Sequence, residues 1–126
     1  AGARRHAGDF SWERTVDTLR ALLPDLDARG VVLCPEALPP PEADFLLTQA
    51  EAAALVDALD HPRIRMMLDV KSMCSEPDGP AALCRRYGAR TGHVHANDAN
   101  RRGPGFGDTD FRAVADALRD VGYDGP

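Results

Sequence analysis

Lysine is almost absent: Lys71 stands alone beside fourteen arginines, and the formal net charge is −5. With no basic run beyond Arg pairs, the chain lacks the electrostatic footprint of a nucleic-acid binder. Cysteine is scarce too. Cys34, Cys74 and Cys84 are an odd number without CxxC spacing, so neither a disulfide framework nor a thiolate zinc site is indicated. Reduced thiols in a cytoplasmic protein are the expectation. No stretch approaches the ~20 apolar residues of a membrane-spanning helix, and no signal peptide is visible. No GxGxxG or Walker loop follows an apolar run, leaving dinucleotide and P-loop folds unsupported.

What is present is an ordinary globular composition, 44% apolar and 28% charged, in 126 residues with room for one modest domain. Trp12, Val16, Leu19 and Leu23 recur at helical spacing and predict a helix over Asp9 to Leu23. Pro24 is expected to end or restart it, with a short second piece over Asp25 to Arg29 before Gly30. Val31 to Glu36 reads as a buried parallel strand ending on a carboxylate. Pro39, Pro40 and Pro41 make the following segment a stiff loop that carries Glu42. Thr48 and Glu51 form a capping box that opens a helix to about Leu59.

A second strand, Ile64 to Asp69, again ends on a carboxylate and leads into a loop over Val70 to Pro77. Asp78 is expected to cap the next helix and Gly88 to close it. The third strand, Thr91 to His95, ends on a histidine, and Phe111, Val114, Leu118 and Val121 mark a last amphipathic helix closed by Gly122. A helix followed by three strand–loop–helix units implies parallel strands with right-handed crossovers. The fold class expected is α/β, part of a (β/α)8 barrel, with an open doubly wound sheet as the alternative. The chain stops at Gly125-Pro126, where another strand is due, and so reads as a fragment.

Period-2 alternation puts Val32, Cys34 and Glu36 on one face of the first strand, Arg65, Met67 and Asp69 on one face of the second, and Thr91, His93 and His95 on one face of the third. If those faces line a barrel, Glu36, Asp69 and His95 converge at its C-terminal mouth, where such folds keep their chemistry. Two carboxylates and an imidazole suit a divalent cation: Mn, Co, Mg or Zn. His93 lies deeper, with a hydrogen-bonding role behind the site. Asn97, Asp98 and Asn100 could orient the loop or touch a substrate. Gly103, Gly105 and Gly107 allow a tight loop, Cys34 is expected to pack inside the barrel, and Trp12 in the core.

These residues resemble the xylose isomerase-like barrel family of sugar isomerases and epimerases. The resemblance begins at Gly30-Val31-Val32-Leu33-Cys34-Pro35-Glu36-Ala37-Leu38, similar to the family's strand five and its metal-binding Glu. It continues through Glu42 with Leu46-Leu47-Thr48, through Leu68-Asp69 (strand six) and through His93-Val94-His95 (strand seven). Arg101, the segment Gly103 to Phe111 and Gly122-Tyr123-Asp124-Gly125 complete it. Residues 1–126 are thereby identified as the incomplete C-terminal part of one barrel domain, about strands five to seven with their helices.

The resemblance implies Glu36, Asp69 and His95 as metal ligands, Glu36 also as acid/base, and Glu42 and Arg101 as substrate contacts. It further implies a Glu on strand eight, past Pro126, as fourth ligand and as acid/base on the opposite face of the sugar. Ser72 departs from the pattern, standing where many members have a substrate-contacting His, and Lys71 is the nearest replacement. The implied activity is metal-dependent isomerisation or epimerisation of a sugar, sugar phosphate or hydroxy-ketone through an enediolate. A dehydratase of the same family and a degenerate, non-catalytic sugar-binding barrel are the alternatives. The isolated fragment is expected to be inactive, and a homo-oligomer stays open for the whole protein.

Overall fold

The computed structural model describes residues 11–126. Asp9 and Phe10, where the first helix was expected to begin, lie outside them. Helix α1 runs Trp12–Arg29, opened by the Ser11 hydroxyl accepting from Arg14 N–H at 3.2 Å. Pro24 neither ends nor restarts it. A proline's fixed φ suits a helix, and the loss is one backbone hydrogen bond plus local crowding. Leu19, Leu23 and Leu26 pack against the core on both sides of that point and hold the helix together. Gly30, at φ +64°, closes it, with Val31 N–H reaching back to the Leu26 carbonyl.

Val31 to Glu36 is extended but only intermittently paired. Leu33 bridges Ile64 and Glu36 bridges Met67, both in parallel, because Pro35 has no N–H to donate. Val31 and Val32, expected to be buried, are 46% and 43% exposed. The loop that follows is pinned at its base by Leu38 N–H on the Leu46 carbonyl and turned by Glu42 N–H on the Pro39 carbonyl. Helix α2, Gln49–Leu59, has half of the expected box: Thr48 accepts from Glu51 N–H, while the Glu51 carboxylate takes the N–H of Leu47, one residue before the cap.

Strand β1 covers Met66–Asp69, all buried. The expected loop after it instead starts with a helical turn, α3, Val70–Met73. Its cause is Asp69, which accepts from Ser72 N–H and so acts as an N-cap. Helix α4 covers Gly79–Tyr87, but Asp78 makes no side-chain cap and pairs instead with Arg86 at 2.6 Å. Gly88 leads into a 3-10 turn to Arg90, and a Cβ there would collide with Val121.

Strand β2, Thr91–His95, pairs in parallel with β1, aligning Met67 with His93 and Asp69 with His95. Helix α5, Phe111–Asp120, ends with Gly122 at φ +69°. Val94 N–H then donates to the Pro126 carbonyl, so the last residues meet the far side of β2.

The order across the layer is thus residues 33–36, β1, β2 and residue 126. Behind it, Leu55, Leu59, Met66, Leu68, Met73, Leu83 and Val114 form the core with which α1, α2, α4 and α5 pack. Among the described residues no helix is long and apolar enough to cross a membrane.

Candidate active site

Three neighbouring extended segments end in Glu36, Asp69 and His95. Parallel pairing in register carries these ends to one rim, where one ligand atom from each lies within 4.8 Å of the others. Nδ1 of His95 is 3.5 Å from Oδ2 of Asp69. Asp69 is 3% exposed, a buried carboxylate with no lysine or arginine ion pair among the described residues. Burial, and next the Asp69 charge beside it, push Glu36 above the ordinary carboxylate range. Two carboxylates and an imidazole crowded together are a donor set suited to a divalent cation.

Both oxygens of Asp69 are occupied from the protein side. Oδ1 accepts from Ser72 N–H at 2.7 Å and Oδ2 from Asn97 Nδ2 at 3.1 Å. The same Asn97 side chain accepts Lys71 N–H on its Oδ1 at 3.3 Å. Ser72 keeps its hydroxyl buried and without a hydrogen-bond partner among the described residues, and it meets Asp69 through its backbone N–H.

Glu42, Lys71 and Arg101 meet beside this cluster. Lys71 Nζ donates to both Glu42 oxygens, at 2.5 and 2.7 Å, and Arg101 Nη2 reaches one of them at 3.3 Å. The Lys71 hydrogen bond holds Glu42 below the ordinary carboxylate range, with Lys71 and Arg101 charges adding to it. The Lys71 side chain is only 12% exposed, whereas that of Arg101 is 70% exposed. Arg101 has a left-handed backbone, φ +65°, uncommon for a side chain of its size.

The loop carrying Arg101 is built on two residues that sequence reasoning left unassigned between loop and substrate. Asp98 is fully buried, with Oδ1 accepting from Thr109 Oγ1 and Ala99 N–H. Its carboxylate fills the space where Gly107 has no side chain. Asn100 donates to the Phe106 carbonyl and accepts from Arg102 N–H. Gly105 supplies the φ of +89° that the turn needs. His93 packs edge to face on His95, ring centroids 5.0 Å apart. Cys34 is half-buried beside Gly92, and Trp12 lies partly buried against the core near Phe45.

Known proteins bear on this arrangement. Residues 2–126 match the family model described as xylose isomerase-like TIM barrel. The chain is 34% identical over 114 residues to D-psicose 3-epimerase of Ruminiclostridium cellulolyticum, covering 90% of this chain and 39% of that enzyme. It is 30% identical over 112 residues to L-ribulose 3-epimerase of Mesorhizobium japonicum, covering 89% and 38%. Among solved structures, a D-psicose 3-epimerase determined in the presence of D-fructose superposes with a TM-score of 0.85 at 32% identity, over 90% of this chain and 39% of that one. The 3-keto-D-glucoside 4-epimerase YcjR of E. coli superposes with a TM-score of 0.84 at 29% identity, over 90% and 43%. The chain thus spans about two fifths of the length of these relatives. The open doubly wound alternative falls away, and the two parallel strands with their flanking helices are part of a barrel. The chain belongs to the xylose isomerase-like TIM barrel family.

Proposed function

We propose that this chain is the C-terminal part of a single barrel domain in a divalent-metal-dependent sugar epimerase, acting at a carbon next to a ketose carbonyl. The observation that carries the reading is the convergence of Glu36, Asp69 and His95, one from each of three adjacent segments. The D-psicose and L-ribulose 3-epimerase relatives support a ketose as substrate and its third carbon as the reacting centre.

Glu36, Asp69 and His95 would hold the ion, and when bound it supplies Lewis acidity toward the substrate's oxygens. The work of the chain's own residues is separate. Glu36 takes the proton from the carbon beside the carbonyl. Asp69, held at both oxygens, stays fixed while the sugar is bound.

Glu42 accepts from a sugar hydroxyl, kept ionised by Lys71. Lys71 and Arg101 add donors at the same corner, Lys71 in place of the histidine that Ser72 replaces. The second proton, on the opposite face, falls to the carboxylate that family resemblance puts after residue 126. The test is conversion of D-fructose and of D-psicose by the whole protein, before and after chelation and with Mn, Co, Mg or Zn restored. Epimer formation that stops on chelation supports the reading. A dehydrated product, or no turnover with any of the four ions, overturns it.

A further inference from the structure

We infer that Asn97 is a positioning residue for the metal centre: its side-chain amide aims Asp69 and locks it to the turn that carries Lys71. The inference rests on the metal reading above and adds to it a residue that is not itself a ligand. Asn97 sits two residues past His95, in the loop leaving β2, and crosses to the end of β1. Its Nδ2 donates to Asp69 Oδ2 at 3.1 Å, and its Oδ1 accepts Lys71 N–H at 3.3 Å. These two bonds fix which way round the amide lies, since a flipped amide would set an oxygen against the carboxylate and an N–H against an N–H.

The consequence falls on Asp69. With Oδ1 taken by Ser72 N–H, rotation of the carboxylate is already restrained from one side. Asn97 restrains the other oxygen, the one that lies 3.5 Å from His95 Nδ1 and so faces the cluster. An amide N–H leaves the carboxylate ionised and able to bind a cation with its remaining lone pair. A basic side chain in the same place would instead compete with the cation for that charge. Partners of this kind behind a ligand typically alter metal affinity by about 10- to 100-fold.

The test is Co(II) titration of the chelator-stripped whole protein by calorimetry, with the visible Co(II) spectrum recorded. Wild type is compared with Asn97→Ala, with Asn97→Leu, which retains bulk without polar atoms, and with Asn100→Ala. Asn100 holds the same loop through Phe106 and Arg102. Both Asn97 variants are expected to raise the Kd at least about tenfold and shift the Co(II) bands, while Asn100→Ala stays within about twofold of wild type. Wild-type affinity and spectrum in both Asn97 variants overturn the inference alone. Equal weakening by Asn100→Ala also overturns it, because the effect would then be one of loop order. A wild type that takes up no Co(II) overturns the metal reading and this inference together.

Discussion

Lys71 Nζ lies 2.5 and 2.7 Å from the two oxygens of Glu42, so the first turn after β1 grips the proline-rich loop beside the candidate metal cluster. The residue that would contact sugar is thereby fixed by the chain's only lysine. On the proposal that this corner binds the sugar and does not react with it, Lys71→Met is expected to raise KM about tenfold, roughly the effect of one lost charge-assisted hydrogen bond. The expected change in kcat is smaller. Steady-state kinetics on the whole protein check it, and a loss confined to kcat contradicts it.

The same contact has a pH signature. Glu42 titrates below the ordinary carboxylate range because Lys71 donates to it. A group with a depressed pKa stabilises the fold above its unfolded value, and that contribution is lost as pH falls through the depressed folded value. Glu42 should therefore stay an ionised acceptor for the sugar down through the ordinary carboxylate range. In Lys71→Met, the Glu42 carboxyl returns toward that range, and KM should begin to rise at a higher pH than in wild type. Identical acid limbs in the two proteins would contradict the assignment.

Asp69 does two jobs that substitution can separate. Asp69→Asn keeps an oxygen for Ser72 N–H but loses the charge and turns an amide N–H toward the Asn97 amide, so metal binding should fall while the cap on α3 is kept. Asp69→Ala also removes the cap and should cost on the order of 1 kcal/mol more. Thermal melts of the metal-free proteins measure the difference. Equal melting temperatures would show that the cap contributes nothing.

Gly88 has an ordinary helical backbone, yet a Cβ there would run into Val121 Cγ2. Gly88→Ala should destabilise by about 1–3 kcal/mol, as overpacking does. Val121→Ala in the same chain should recover most of that loss. A double-mutant cycle without coupling contradicts the steric account.

Much of the fold was legible because short-range signals and core packing agree. The Thr48–Glu51 cap, the Thr91–His95 strand and the Gly122 stop are local signals that nothing in the tertiary structure opposes. Pro24 was misleading because packing of Leu23 and Leu26 outweighs one lost hydrogen bond. The segment after β1 held a helical turn too short to show a periodicity, started by Asp69 as its cap. Asp78 resembled a cap, but Arg86 claims its carboxylate. Val31 and Val32 looked like buried strand, but composition says nothing of which neighbours cover a segment.

At the site, the alternation rule was enough to bring Glu36, Asp69 and His95 to one rim. What sequence could not supply were links between loops: Asn97 to Asp69, and Lys71 to Glu42. Lys71, expected only as the nearest replacement for a histidine, is largely buried in an ion pair. The spacing of Asn97 from His95 was the signal available for it, and it pointed only to a loop near the site.

Glu36 is proposed to move a proton at the carbon next to a ketose carbonyl. The most direct measurement is deuterium incorporation into D-fructose in heavy water, followed by NMR, for the metal-loaded whole protein and its Glu36→Gln variant. Exchange at the third carbon is expected in wild type, with a loss of at least about a hundredfold in Glu36→Gln, as for removal of a general base. Undiminished exchange in the variant, with metal still bound, would contradict it.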